Sequence, residues 1–388
     1  MPSAERNEEV GARRSRAERI AVVNGLRGIA IAGVFWDHIV LRRLTMADCR
    51  LFLFGKSVPL SAFIFNGWTG VNLFFILSGF VLFLPYAADP QSLNGLDARL
   101  HFYRRRAIRL LPLLYIAAIS EWALASLHGQ PASFSDLASV LSFGFIVDPR
   151  TFGPSFNIAL WSIGDEIAFS ALFPLLVLGL RRVGAARLVA LILVAALAVR
   201  LGGVVRFPTV QAGSFNSDSF PCRIDEFVLG IVLAQLYRQG HLPRWPGLCA
   251  AAGIVLVLVS WVGFDMVLRG VLPPITRAVL NNVLDAGLCA ILVAALVPGT
   301  RLAAALSWRP LQVLGMMCYS LYIWHLPLLN WLIPDHTRMP LGEFLFLIPV
   351  FLATAFGIAA LSYRFIEFRR VGDWRSLFLL RPVAAQGA

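Results

Sequence analysis

Ten times between residues 22 and 366 the chain runs apolar for about the length a helix needs to cross a bilayer. The runs are roughly 22–41, 68–87, 107–127, 160–181, 185–204, 224–238, 247–267, 278–297, 311–332 and 342–366. A hydrocarbon core about 30 Å thick takes ~20 residues at a rise of 1.5 Å each. Lipid offers no hydrogen bonds, so a continuous apolar run must satisfy its own backbone, which a helix does. The fold class expected is therefore an all-α polytopic membrane protein with about ten transmembrane helices. The sixth run is short. A further apolar stretch at 137–147 is too short to span and reads as interfacial or re-entrant. Composition agrees, with 58% hydrophobic and only 14% charged residues, where soluble domains carry about 25% charged. No internal repeat is visible, which weakens a reading as an inverted-repeat transporter.

Orientation follows from the arginines. With the N-terminus inside, 23 of the 34 Lys and Arg residues fall on inner segments. That bias predicts both termini in the cytoplasm. The first outer loop dissents, with Arg42, Arg43, Arg50 and Lys56. The chain then divides into a basic N-terminal tail (1–20), a membrane domain (21–366) and a C-terminal tail (367–388). The N-terminal segment is charged and lacks the apolar core of a secretory signal, so the first span is expected to carry targeting. Chemistry is expected from the helices and their loops. The net charge of +12 is not a nucleic-acid signature, because Lys56 is the single lysine and the arginines sit in short loops. Cys49, Cys222, Cys249, Cys289 and Cys318 are scattered and form no CxxC pair. Neither a zinc site nor a redox motif is indicated, and no metal is expected. Cys49 and Cys222 are the pair whose positions leave a disulfide open.

Polar residues inside the runs carry the functional signal. "VFWDHIV" (34–40) puts Asp37 and His38 side by side in the first span. A charged side chain at mid-membrane costs about 2.5–3.5 kcal/mol on insertion scales, so the pair is a functional hypothesis by default. His38 lies fourteen residues after Asn24, or roughly 21 Å along the helix, in the outer half of the bilayer. A neutral imidazole suits a general base. The plainer alternative is a histidine satisfied by its own helix. Adjacent residues point about 100° apart, so Asp37 is expected to pair with another helix, an arginine being one partner. "WSIGDE" (161–166) opens the fourth span with Trp161 as an interfacial anchor and Asp165 and Glu166 as adjacent acids. Glu166 stands at a depth where it could meet His38. His325, in "YIWHLPLL", lies roughly 15 Å in from the inner face. Pro327 follows it and frees a backbone carbonyl that could satisfy the ring.

Two clusters flank the runs. "HFYRRRAIRLLP" (101–112) carries Arg104, Arg105, Arg106 and Arg109. Arg106 and Arg109 are three apart and share a helix face. Paired guanidinium groups suit phosphate; the alternative is a positive-inside anchor on anionic lipid. "CRIDEFVLG" (222–230) places Arg223, Asp225 and Glu226 at the outer mouth of the sixth span, to hold a polar acceptor or to pair with one another. Ser78-Gly79 reads as a close-packing site, with a nucleophilic Ser78 the lesser reading.

In order along the chain, "NGLRGIAIAGVFWDH", "GVNLFFILSGF", "FYRRRAIRLLP", "WSIGDE", "YSLYIWHLPLL" and "SYRFIEFRR" resemble the signatures of the membrane-bound acyltransferase 3 family of bacterial O-acyltransferases. The resemblance implies a roughly ten-helix membrane domain, multi-pass in the bacterial cytoplasmic membrane. It implies acyl-CoA, often acetyl-CoA, as co-substrate rather than a bound cofactor. It implies a glycan hydroxyl at or beyond the outer face as acceptor. His38 would be central to transfer, with Glu166, Asp37 or His325 supporting it, and Arg106 and Arg109 would help bind the donor. Arg223, Asp225 and Trp161 would stand on the acceptor side. Asn24 replaces the family's usual Asp, Asp37 replaces an apolar residue, and "IAF" follows Glu166 where aromatics and Gln are common. These departures bear on the acceptor more than on the reaction. The rival class is a proton-coupled transporter or flippase, in which the buried histidines and acids relay protons. A third is an assembly protein whose polar residues only specify packing.

Overall fold

A computed structural model describes residues 2–45, 49–53, 56–129, 132–207, 214–334 and 339–367. The first helix, α1 (Pro2–Leu41), begins upstream of the expected span, so the segment read as a separate tail continues the helix. A small antiparallel hairpin of β1 (Arg50–Leu53) and β2 (Lys56–Pro59) leads to α2 (Ser61–Ile64), a single turn at Gly67–Thr69 and α3 (Gly70–Phe83). Then come α4 (Leu96–Leu127), α5 (Phe134–Leu141), α6 (Leu160–Val183), α7 (Ala185–Arg206), α8 (Phe215–Asp218) and α9 (Phe220–Arg238). The rest is α10 (Pro246–Leu268), α11 (Thr276–Ala295), α12 (Arg301–Leu306), α13 (Arg309–Met316), α14 (Cys318–Leu332) and α15 (Leu341–Ser362), which ends in a π-turn at Tyr363–Glu367. The tail from residue 368 onward, with Arg369, Arg370, Arg375 and Arg381, lies outside the described residues.

Eight helical segments among the described residues are long and apolar enough to cross a membrane. The chain is an all-α polytopic membrane protein. The two remaining expected spans differ for readable reasons. Helix α9 opens with Arg223, Asp225 and Glu226, which take it below the apolarity of a lone span. Burial against α3 and α7 shelters it instead. The span expected at 311–332 is two helices, α13 and α14, broken at Met317. The apolar stretch at 137–147 holds the short α5, which buries Asp136, Leu137 and Val140 and does not span.

Glycines set the closest crossings. A Cβ on Gly25 would stand 1.9 Å from the Leu306 carbonyl oxygen, one on Gly28 2.2 Å from that of Leu311, and one on Gly315 1.8 Å from that of Asn24. Association in lipid relies on such backbone approach rather than on a hydrophobic drive. Gly25 and Gly28 are three apart, so one face of α1 beds on α12 and α13 and turns Arg27 off that face. Gly79 and Gly230 do the same where α3 crosses α9. Around this frame a ring cluster fills the interior, with Phe227 stacked 4.5 Å from Phe75 and 4.2 Å from Phe169. Cys49 and Cys222 are both buried, and the disulfide left open by the sequence is not formed.

Candidate active site

A cavity of about 410 Å³ opens between α1, α3, α4, α6 and α14. Arg27, Arg105, Arg106 and Arg109 line it, with Ser78, Glu166 and Tyr322. Four guanidinium groups on two helices therefore converge on one space. Arg106 is ion-paired with Glu166, and its Nε donates to Ser170 Oγ at 2.9 Å. Arg105 donates to the Tyr86 hydroxyl at 2.8 Å. Arg104, the first of the cluster, is exposed and does not line the cavity. Arg27 stands in the sequence as one of the inner-side arginines that set the orientation. The signal for it was present in the flanking Gly25 and Gly28, which press the helix close and leave the residue between them facing inward.

His38 and His325 sit together beyond the cavity wall. Their ring centroids are 5.0 Å apart, and His325 Nε2 lies 3.4 Å from His38 Nδ1. His38 Nδ1 lies 2.9 Å from the Val34 carbonyl, and His325 Nδ1 lies 2.6 Å from the Tyr322 carbonyl. A carbonyl only accepts, so each Nδ1 carries the proton and each Nε2 is bare when the ring is neutral. His325 is fully buried and stacks on Phe35 at 5.2 Å. His38 is half-buried. Satisfaction by its own helix, the plainer reading of His38, thus holds for one nitrogen and leaves the other with a lone pair. The carbonyl freed by Pro327 is that of Ile323, and it accepts from Asn157 Nδ2 at 3.1 Å rather than from His325.

Tyr322 joins the two parts. It lines the cavity, its hydroxyl accepts from Ser162 Oγ at 2.7 Å, and its ring lies 5.3 Å from that of His325. The arginines occupy one end of this arrangement and the histidines the other. Along α1, Arg27 and His38 are eleven residues apart, or about 16 Å.

The structure decides four expected placements. Glu166 does not meet His38; its carboxylate is held by Arg106. Asp37 pairs with another helix through backbone rather than through an arginine. Its carboxyl faces the backbone N–H groups of Gly67 and Trp68, the free donors at the start of the turn that leads into α3. A Cβ on Gly67 would come within 2.9 Å of Asp37 Cβ, so glycine is what permits this approach. Arg223 and Asp225 stand at no open mouth. Arg223 pairs with Asp218 at 2.7 Å and Glu226 at 2.6 Å, and Asp225 pairs with Arg200 at 2.6 Å, all buried. Asn72, Asn281 and Asp285 complete that network. Trp161 is likewise buried, with Arg223 over its ring at 5.8 Å, and does not serve as an interfacial anchor. Asp165 faces this network, about 100° around α6 from Glu166. No metal-binding group of His, Cys, Asp or Glu occurs among the described residues.

A family model described as an acyltransferase domain matches residues 20–363. O-acetyltransferase OatA of Staphylococcus aureus (strain NCTC 8325 / PS 47) is 23% identical over 363 residues, covering 89% of this chain and 56% of the relative. OatA of strain COL matches with the same figures. The chain thus spans little more than half the length of these relatives. No solved structure matches it.

Proposed function

The chain belongs to the acyltransferase 3 family, and we propose that it is a membrane O-acyltransferase that moves an acyl group, acetyl by analogy with its relatives, from acyl-CoA to a hydroxyl of a glycan acceptor. The observation that carries this reading is the arrangement of the main cavity. Arg27, Arg105, Arg106 and Arg109 converge on it, and Tyr322 links it to the His38–His325 pair.

In this proposal the arginines take the phosphates of CoA by charge-assisted hydrogen bonds at the cytoplasmic face. Both termini are then cytoplasmic, in the inner membrane of a bacterium. Glu166 holds the Arg106 fork in place for that task. The thioester arm enters the cavity and reaches past Tyr322 toward His38. His38 Nε2 accepts the proton of the acceptor hydroxyl. The oxygen attacks the thioester carbonyl, the C–S bond breaks, and the thiolate takes the proton back from the imidazolium to leave as CoA. His325 fixes the ring of His38. A covalent acyl-enzyme on His38 or Ser78 is a variant of the same transfer.

The test is CoA release by the purified protein in detergent, given acetyl-CoA and a panel of glycan acceptors. Acceptor-dependent release supports the reading. Tight donor binding with no release under any acceptor, together with proton or solute flux in vesicles, would establish the transporter class instead.

A further inference from the structure

A second cavity, about 210 Å³, lies at the far end of α1 from Arg27. It is smaller than the roughly 300–1,000 Å³ of drug-sized sites, so it fits one ring rather than a chain of them. Phe65, Trp68 and Phe264 wall it, with Trp68 and Phe264 rings 5.1 Å apart. Asp37 and Arg277 supply its two charges. Asp37 is 4% exposed. Its Oδ1 has no hydrogen-bond partner among the described residues. The Arg277 guanidinium lies over the Trp68 ring at 5.4 Å and makes no ion pair among the described residues.

We infer that this cavity is the acceptor subsite and that it takes a single neutral pyranose ring. Two features select that class. A carboxyl and a guanidinium together offer acceptors and donors, which is what vicinal hydroxyls require. The aromatic walls offer apolar surface to the weakly positive C–H face of a sugar ring. Its place also fits. Asp37 immediately precedes His38 on α1, so the cavity lies at the same end of that helix as the histidine pair. The inference rests on the acyltransferase reading for the word acceptor, though binding of the ring does not.

The experiment uses the full chain in detergent and measures binding of methyl β-glucopyranoside by saturation-transfer NMR, without donor. Methyl β-glucuronide and 1-hexanol serve as charged and apolar comparisons. The expected result is binding of the glucoside in preference to both. Arg277→Gln should weaken it about tenfold or more at unchanged melting temperature, and Phe264→Ala should weaken it as much while lowering the melting temperature, because Phe264 is a buried ring. Asp37→Asn should weaken it similarly, but the first two variants carry the test because Asp37 also holds a helix start. Equal binding of hexanol, or glucoside binding unmoved by Arg277→Gln and Phe264→Ala, overturns the subsite. Transfer assays separate the two readings. A raised acceptor KM with unchanged donor KM in Arg277→Gln supports both. Transfer with acceptor KM unmoved in those variants sinks the subsite and leaves the acyltransferase. Selective glucoside binding with no transfer at all leaves the subsite and sinks the acyltransferase.

Discussion

His38 shows how one side chain can be both satisfied and available. Its Nδ1 is committed to Val34, 2.9 Å away, and its Nε2 is not. The proposal makes a selective prediction. His38→Ala should insert, melt normally and bind acyl-CoA, yet lose transfer by roughly 100-fold or more. His325→Ala should cost less, because it removes a neighbour rather than the base. The reverse order, measured as kcat in detergent, would move the base to α14. Glu166 has a different task, since it holds Arg106. Glu166→Gln should weaken donor affinity about tenfold, the scale of one charge-assisted contact, and leave kcat at saturating donor nearly intact. A kcat loss without a change in donor KM would return Glu166 to the histidines. The sequence marked His38, His325 and Glu166 as candidates for chemistry, because a polar group in an apolar run is costly. It could not pair them. His38 and His325 are 287 positions apart, and nothing local encodes which of several buried polar groups is the partner.

Helix crossings carry the site as much as the side chains do. Gly25 and Gly315 are where α1 meets α12 and α13, at separations that leave no room for a methyl group. Gly25→Ala or Gly315→Ala should destabilise the protein by about 1–3 kcal/mol, the usual cost of overpacking, and should also displace Arg27 from the donor cavity. Gly247→Ala is the matched control, because nothing lies within 4 Å of its Cβ position. Thermal melting in detergent distinguishes them; equal melting of all three would show that the crossing yields easily. The break at Met317 belongs to the same frame. Hydropathy shows a continuous run through 311–332 because it averages over the turn. The break comes where α13 beds on α1 while α14 leaves to pack on α15.

At the scale of the whole molecule, the arginine bias predicts cytoplasmic termini, and α9 is the helix that tests it. Eight segments are apolar enough to cross alone, while α9 carries its own ion pairs. If α9 crosses, a reporter inserted at Gly240 reads cytoplasmic and one inserted at Gly270 reads external. A reporter at Gly240 that is active only outside the cytoplasm would remove α9 from the crossings and shift every later loop. The all-α, membrane-crossing character of the chain and the place of eight of its ten expected spans were legible in the sequence, because lipid obliges each segment to satisfy its own backbone and that demand is local. So were the residues too polar to stand in lipid without a reason. Which of them meet was decided only in three dimensions. Arg223 and Asp225 left two readings open, an acceptor site or a charge pair, and they close on Asp218, Glu226 and Arg200 in the interior. Asp37 is expected to meet another helix, an arginine being one partner, and it faces the backbone at the start of one, beside a glycine. Apolarity tells a segment to be a helix in the membrane. The fit of glycine notches and the cancelling of buried charges between distant segments tell it which way to face.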